Sequence, residues 1–207
     1  GMAMPTIRDY ATDELKQKFV PPGLRGDDIW CQMYSEPGSG SDLASLTTRA
    51  VLDGDEWIVS GQKVWTSGAQ QSRYAILLAR TDWDAPKHRG ITMLVLPMEQ
   101  PGVDVRGLVQ MTGISEFNEV FIDEARIPKE WVIGEVNGGW ATAVALLGHE
   151  RQQTGTNSMS GTSDSRSKAG RSPIPVAQLI DLAERAGRRN DPIVRQQLAR
   201  LHSGEQV

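Results

Sequence analysis

Between Asp28 and about Ile133 the apolar residues fall in short runs separated by turn residues. The runs are Leu46 to Leu52, Glu56 to Ser60, Tyr74 to Arg80, Ile91 to Leu96, Val103 to Val109 and Glu119 to Ile122. Their length suits strands and is too short for ordinary helices. Asp53-Gly54, between two of them, is a hairpin signal, because glycine takes up positive φ without a steric penalty. No helical period separates one run from the next, so the βαβ alternation of a doubly wound sheet is absent. The pattern predicts an α+β chain whose centre is a small antiparallel β-barrel or sandwich flanked by helical segments.

The flanks read differently. Thr12 is a candidate N-cap, with Leu15 and Phe19 four apart on one face and Pro21-Pro22 as the expected stop. After Asn137-Gly138-Gly139, residues Trp140, Val144 and Leu147 fall at i, i+4 and i+7, widened by Ala143 and Leu146, so a helix begins there. Residues 154–173 are rich in Thr, Gly, Ser and charges and are expected to be flexible. Val176, Leu179, Ile180 and Ala183 predict a helix ended by Gly187. Asp191-Pro192 opens another, whose apolar face is Val194, Leu198 and Leu201.

Composition bounds the functional classes. In 207 residues, 39% are hydrophobic and 23% charged, which is ordinary for a globular protein. The net charge of −4 with scattered Lys and Arg lacks the basic footprint of a nucleic-acid binder. Cys31, the single cysteine, rules out an internal disulfide or a thiolate metal site and fits a reducing, cytoplasmic setting. His88, His149 and His202 are too scattered to suggest a metal. No apolar run approaches the roughly 18–20 residues of a membrane span.

Two stretches carry chemistry. Ser35-Glu36-Pro37-Gly38-Ser39-Gly40-Ser41-Asp42 follows the strand-like run Ile29 to Tyr34. Its glycines let backbone N–H groups approach a polyanionic or carbonyl-rich ligand, although the same residues also build plain turns. The second stretch is Trp65-Thr66-Ser67-Gly68. Trp65 is either a core residue or a flat apolar face for an isoalloxazine ring, and Ser67 offers a hydroxyl and an N–H for the ring edge. Asp42 reads as a turn or cap residue. Glu150 and Arg151 project from the apolar stripe of the helix after Gly139. A carboxyl over apolar neighbours has a raised pKa and can serve as a general base, or it can be half of a structural ion pair.

Glu36-Pro-x-x-Gly-Ser-Asp42, Gly61-Gln-Lys-x-Trp-x-Ser67, Arg126-Ile-Pro-Lys129 leading to Ile133-Gly-Glu135, and Gly138-Gly139 together resemble the central part of an acyl-CoA dehydrogenase, over roughly residues 5 to 155. The resemblance implies that residues 1–27 end an N-terminal helical domain, 28–135 form the flavin-binding β-barrel domain, and 136–207 begin a C-terminal helical domain. It also implies FAD as cofactor, with Gln32, Met33, Tyr34, Ser35, Gly40, Ser41, Trp65, Thr66 and Ser67 around it. Ser35 and Ser67 would meet the ring, and Gly40 and Ser41 the ribityl-phosphate side. Ser35 and Ser67 stand where relatives often carry threonine, which keeps the hydroxyl. Ser41 and Arg151 would lie beside the acyl-CoA, and Glu150 aligns with the minority location of the catalytic base.

The activity so implied is α,β-dehydrogenation of a fatty or sterol-derived acyl-CoA thioester, with hydride transfer to FAD and an electron-transfer flavoprotein as acceptor. By the same comparison the chain looks truncated. It is expected to be a poor dehydrogenase and to hold little FAD alone, and to seek a homo-oligomer or a complementing chain. Two alternatives stay open: another flavoenzyme of the fold group, such as an oxidase or hydroxylase, and a non-catalytic binding or assembly fragment.

Overall fold

The computed structural model describes residues 2–157 and 176–205. Residues 1–153 form one compact unit and residues 154–207 a second. The first unit is built on seven strands: β1 (Trp30–Met33), β2 (Arg49–Asp53), β3 (Glu56–Ser67), β4 (Tyr74–Arg80), β5 (Ile91–Pro97), β6 (Val103–Leu108) and β7 (Phe117–Pro128). They form a single sheet in the order β1-β4-β2-β3-β7-β6, with β5 on the other side of β4. The β2–β3, β3–β7, β6–β7 and β4–β5 pairs are antiparallel, as the strand pattern predicts. The β1–β4 and β2–β4 pairs are parallel, which the absence of βαβ units had not suggested.

The parallel pairings have a simple cause. β1 covers Tyr74–Leu77 and β2 meets β4 at Arg80, so both strands run along one edge of β4, one after the other. The connection between them, residues 34–48, leaves that edge and returns to it. No helix is needed, because the chain does not cross the sheet. Its return is fastened by the Arg80 N–H, which donates to the Thr48 carbonyl at 2.7 Å, and by the Arg80 guanidinium, which donates to Ala44 O at 2.6 Å. The glycine-rich stretch is thus an excursion with both ends anchored on β4.

β4 and β5 hold the centre of the core. Ala75, Leu77, Leu78 and Ala79 on one strand and Met93 to Leu96 on the other are fully buried. Such continuous apolar runs are expected where both faces of a strand are covered. Two helices, α1 (Ala3–Tyr10) and α2 (Asp13–Arg25), pack into the same core through Ile7, Leu15 and Phe19. Phe19 meets Trp30, Tyr74 and Trp131 edge-on at 5.0–5.2 Å.

Thr12 caps α2 by accepting from the Leu15 N–H. The helix does not stop at Pro21-Pro22; it runs to Arg25 and closes on Gly26 at φ +81°. Each proline leaves a carbonyl one turn earlier without its helical donor. Those carbonyls belong to Gln17 and Lys18, both exposed, so water can serve them.

The long β3–β7 pair breaks register twice. Near Lys63 the pairing is Lys63↔Val120 and then Thr66↔Asn118, so Val64 and Trp65 oppose the single residue Glu119. This is a β-bulge, which bends the strand and re-aims its side chains. Helix α3 (Gly139–Asn157) begins where the period changes, and buries Thr142, Ala143 and Leu146. Val144, expected on the stripe, is exposed. In the second unit, α4 (Val176–Arg185) and α5 (Pro192–Glu205) form as the sequence predicts, the latter capped by Asp191 Oδ1, which accepts from the Ile193 N–H at 2.9 Å. Of the segment 154–173, residues through Asn157 are helical and the rest lie outside the described residues.

Gly139 sets how closely α3 approaches β5. A Cβ there would stand 2.6 Å from the Met93 nitrogen and 2.7 Å from the Thr92 carbonyl carbon, both backbone atoms. Gly139→Ala should therefore push the helix from the strand and cost about 1–3 kcal/mol, the usual range for overpacking, as read from the urea midpoint.

Candidate functional site

The end of β1, the loop that follows it and the bulged arm of β3 enclose a cleft of ≈ 330 Å³. Gln32, Tyr34, Ser35, Trp65 and Ser67 line it, joined by Trp30, Cys31, Val64 and Leu146. Five of the nine cofactor-binding candidates are thereby brought together. Strand alternation sends Gln32 towards the cleft and Met33 into the core, where it is fully buried. Thr66 is also buried, with its carbonyl accepting from Asn118 Nδ2 at 2.9 Å. Gly40 and Ser41 are exposed on the loop beyond the lining residues. Glu150 and Arg151 belong to α3, but their side chains lie outside the described residues.

Trp65 is no core residue. It is 62% exposed and its φ is +61°, in the left-handed region. For a bulky residue that conformation costs about 1–2 kcal/mol. The bulge enforces it and presents the indole at the mouth of the cleft, where it meets Phe117 edge-on at 6.0 Å. A backbone bond from the Val64 N–H to the Ser35 carbonyl, 2.9 Å, ties the arm to the loop.

The electrostatics of the cleft turn on two residues that sequence reasoning passed over. Lys63 is completely buried, and its Nζ donates to Glu36 Oε1 at 2.9 Å and to the Tyr34 carbonyl at 3.0 Å. Glu36 in turn accepts from the Thr47 N–H at 2.7 Å, the Thr47 hydroxyl at 2.8 Å and the Thr48 N–H at 2.8 Å. Burial works against the Glu36 carboxylate, but the Lys63 ammonium and the threonine N–H groups outweigh it and hold its pKa down at about 2. Burial lowers Lys63 to about 8, although Glu36 pulls the other way. The available signal was the presence of Glu and Lys, opposite in sign, each inside a motif.

Cys31 lines the cleft without offering a nucleophile. Burial pushes its thiol up to about 11, so the thiolate is scarce at neutral pH. Trp30 Nε1 and Gln32 Oε1, a donor and an acceptor among the lining residues, are buried without a hydrogen-bond partner. Buried polar atoms of that kind call for a ligand that supplies both an acceptor and a donor. An isoalloxazine edge, with ring carbonyls and a ring N–H, fits that requirement, and the apolar Trp65 and Val64 suit its face. Asp42, on the loop, pairs with Lys87. No helix among the described residues is long and apolar enough to cross a membrane.

Residues 31–125 match the family described as acyl-CoA dehydrogenase, middle domain. A curated relative, the acyl-CoA dehydrogenase IpdE1 of Mycobacterium tuberculosis, is 41% identical over 203 residues, 97% of this chain and 49% of its own. Among solved structures, the Tcur3481-Tcur3483 steroid ACAD superposes with a TM-score of 0.70 at 34% identity, covering 98% of this chain and 50% of that one. A glutaryl-CoA dehydrogenase from Mycobacterium smegmatis in complex with FADH2 gives 0.63 at 28% identity, over 72% of this chain and 37% of that one. The chain spans about half the length, or less, of the curated relatives it matches.

Lys63→Met should lower stability at pH 7 by about 3–5 kcal/mol, because it leaves Glu36 as a buried, unpaired carboxylate. The sign of the pH dependence follows. In the parent, Glu36 has a depressed pKa, so its stabilisation is present above the unfolded value near 4.3 and is lost as pH falls towards about 2. In the variant the unpaired carboxylate titrates higher, so the deficit is largest near neutrality and shrinks as Glu36 takes up a proton in mild acid. Urea unfolding at pH 7 and pH 5 measures both values.

Proposed function

This chain belongs to the acyl-CoA dehydrogenase family, and on that footing we propose that its cleft is the flavin-holding wall of an enzyme that desaturates an acyl-CoA thioester between the α and β carbons. The observation that carries this reading is the bulge that turns Trp65 out of the core and stands it beside Ser35 and Ser67 at one cleft. FAD is the cofactor, in keeping with the relative solved with FADH2. When bound, it supplies the acceptor for the hydride leaving the β carbon.

The chain's own residues hold and orient it. Trp65 provides the stacking face. The Ser35 and Ser67 hydroxyls reach the ring edge, Gln32 and Tyr34 add polar contacts, and Met33 and Thr66, both buried, contribute backbone. Gly40 and Ser41 serve the ribityl-phosphate side, and Ser41 with Arg151 flanks the acyl-CoA. Glu150 on α3 takes the α proton as general base. The substrate class is a fatty or sterol-derived acyl-CoA, the second favoured by the steroid ACAD neighbour. An electron-transfer flavoprotein reoxidises the flavin.

Titration with FAD of the chain completed to the length of its relatives, followed by flavin fluorescence, tests the cofactor assignment. Ser67→Ala should weaken binding by about 1 kcal/mol, the worth of one neutral hydrogen bond and roughly fivefold in affinity. Trp65→Ala should weaken it further, since a stacking face goes as well. Equal affinities for all three proteins would refute the assignment. In the same completed protein, Glu150→Gln should keep acyl-CoA binding and abolish flavin bleaching in a single turnover, because an amide cannot take the proton. Unchanged bleaching would remove Glu150 from the chemistry.

A further inference from the structure

The two walls of the cleft come from distant parts of the chain. On one side stand Tyr34 and Ser35, on the other Val64, Trp65 and Ser67. Hydrogen bonds cross at this point from Lys63 Nζ to the Tyr34 carbonyl at 3.0 Å, from Lys63 Nζ to Glu36 Oε1 at 2.9 Å, and from the Val64 N–H to the Ser35 carbonyl at 2.9 Å. The first two are made by one ammonium group, fully buried, where no water competes for its protons.

The position of Lys63 in its strand gives these bonds leverage. It is the last residue in regular register before the bulge, so whatever fixes it fixes where Val64 and Trp65 begin to turn. Glu36 is fixed in turn by Thr47 and Thr48, whose segment is anchored on β4 by the bond from the Arg80 N–H to the Thr48 carbonyl. Thr48 also passes close to β3: a Cβ on Gly61 would stand 2.8 Å from the Thr48 Cα. A continuous path therefore runs from the core strand β4 through Thr48, Glu36 and Lys63 to the bulge. An apolar pair of equal volume would fill the same space without the desolvation of two ions. What the ions add is a defined location for each partner.

We propose that Lys63 is the positioning residue of the cleft, setting through Glu36 and the Tyr34 carbonyl how far Ser35 stands from Trp65 and Ser67. The proposal rests on the reading of the cleft as a flavin site. Lys63 does not touch the ring; it places the groups that do. Ligand affinity and ring environment should therefore depend on a side chain that lines no part of the pocket.

Three proteins, each completed to the length of its relatives, test it: the parent, Lys63→Met, and the double variant Glu36→Gln/Lys63→Met, in which no buried ion is left unpaired. Amide hydrogen exchange reports the walls directly, and an FAD titration with visible circular dichroism of the bound flavin reports the ligand. In the double variant, Leu77 and Leu94 of the core strands should stay protected while Val64 exchanges at least tenfold faster. FAD affinity should fall at least tenfold and the flavin dichroism should change. A folded double variant with Val64 protected as in the parent overturns the proposal. So does faster exchange at Val64 with unchanged flavin affinity and dichroism, since the role is then structural only. Loss of protection at Leu77 and Leu94 as well would assign the pair to the fold and not to the cleft, and also overturns it. A parent that takes up no FAD even when completed to the length of its relatives overturns the flavin reading and the proposal together, whereas a parent and variant that bind alike overturn the proposal alone.

Discussion

A lysine ammonium and a glutamate carboxylate, 2.9 Å apart and shut off from solvent, link three pieces of chain that the sheet alone would leave loosely associated. Burying two ions is costly, and the attraction between them offsets the cost only when their remaining hydrogen-bonding capacity is met. Glu36 accepts from three donors of Thr47 and Thr48, and Lys63 adds a bond to the Tyr34 carbonyl. The same contacts hold the glycine-rich excursion against β3. Loops of Gly, Ser and Pro have little side-chain surface with which to pack, so their shape has to come from hydrogen bonds. Here the carboxylate provides them.

Much of the fold could be read from residue patterns because it is local. The Asp53-Gly54 turn, with Gly54 at φ +60°, closes β2 on β3, and the runs Tyr74 to Arg80 and Ile91 to Leu96 became β4 and β5 nearly to the residue. Thr12, Gly187 and Asp191 punctuate the helices where their chemistry predicts. What was not legible depends on contacts between distant segments. The parallel seating of β1 and β2 on β4 leaves no mark in either strand. The persistence of α2 through two prolines depends on which carbonyls face water. Val144 shares the period of the buried stripe but faces solvent, while Thr142, Ala143 and Leu146 carry the buried face of α3 and Gly139 brings its start against β5.

The site shows the same division. Periodicity could mark Gln32 and Met33 as neighbours in a strand, and their separation into cleft and core follows from alternation. It could not say that Trp65 is held outside the core, because a bulge arises from the mismatch of two strands and neither sequence shows it alone. The roles of Glu36 and Lys63 were hidden for a related reason. Each lies among residues that invite attention as ligand contacts, and their partnership spans 27 positions. Family membership places the motifs in a flavoprotein context, while the geometry shows which side chains line the cleft and which are buried beside it.

The seating of β1 and β2 along one edge of β4 also orders the events of folding. β4 and β5 are consecutive and antiparallel, as are β2 and β3, so both pairs can close over short loops. β1 must find β4 across more than forty intervening residues, with Trp30 opposite Tyr74. Contacts of long sequence separation carry a larger loop-closure entropy and are made after the local ones. The pairing of β1 with β4, and with it the wall that carries Tyr34 and Ser35, is therefore expected to form after the local pairs. During synthesis the glycine-rich segment leaves the ribosome well before β4, the strand on which both its ends are anchored.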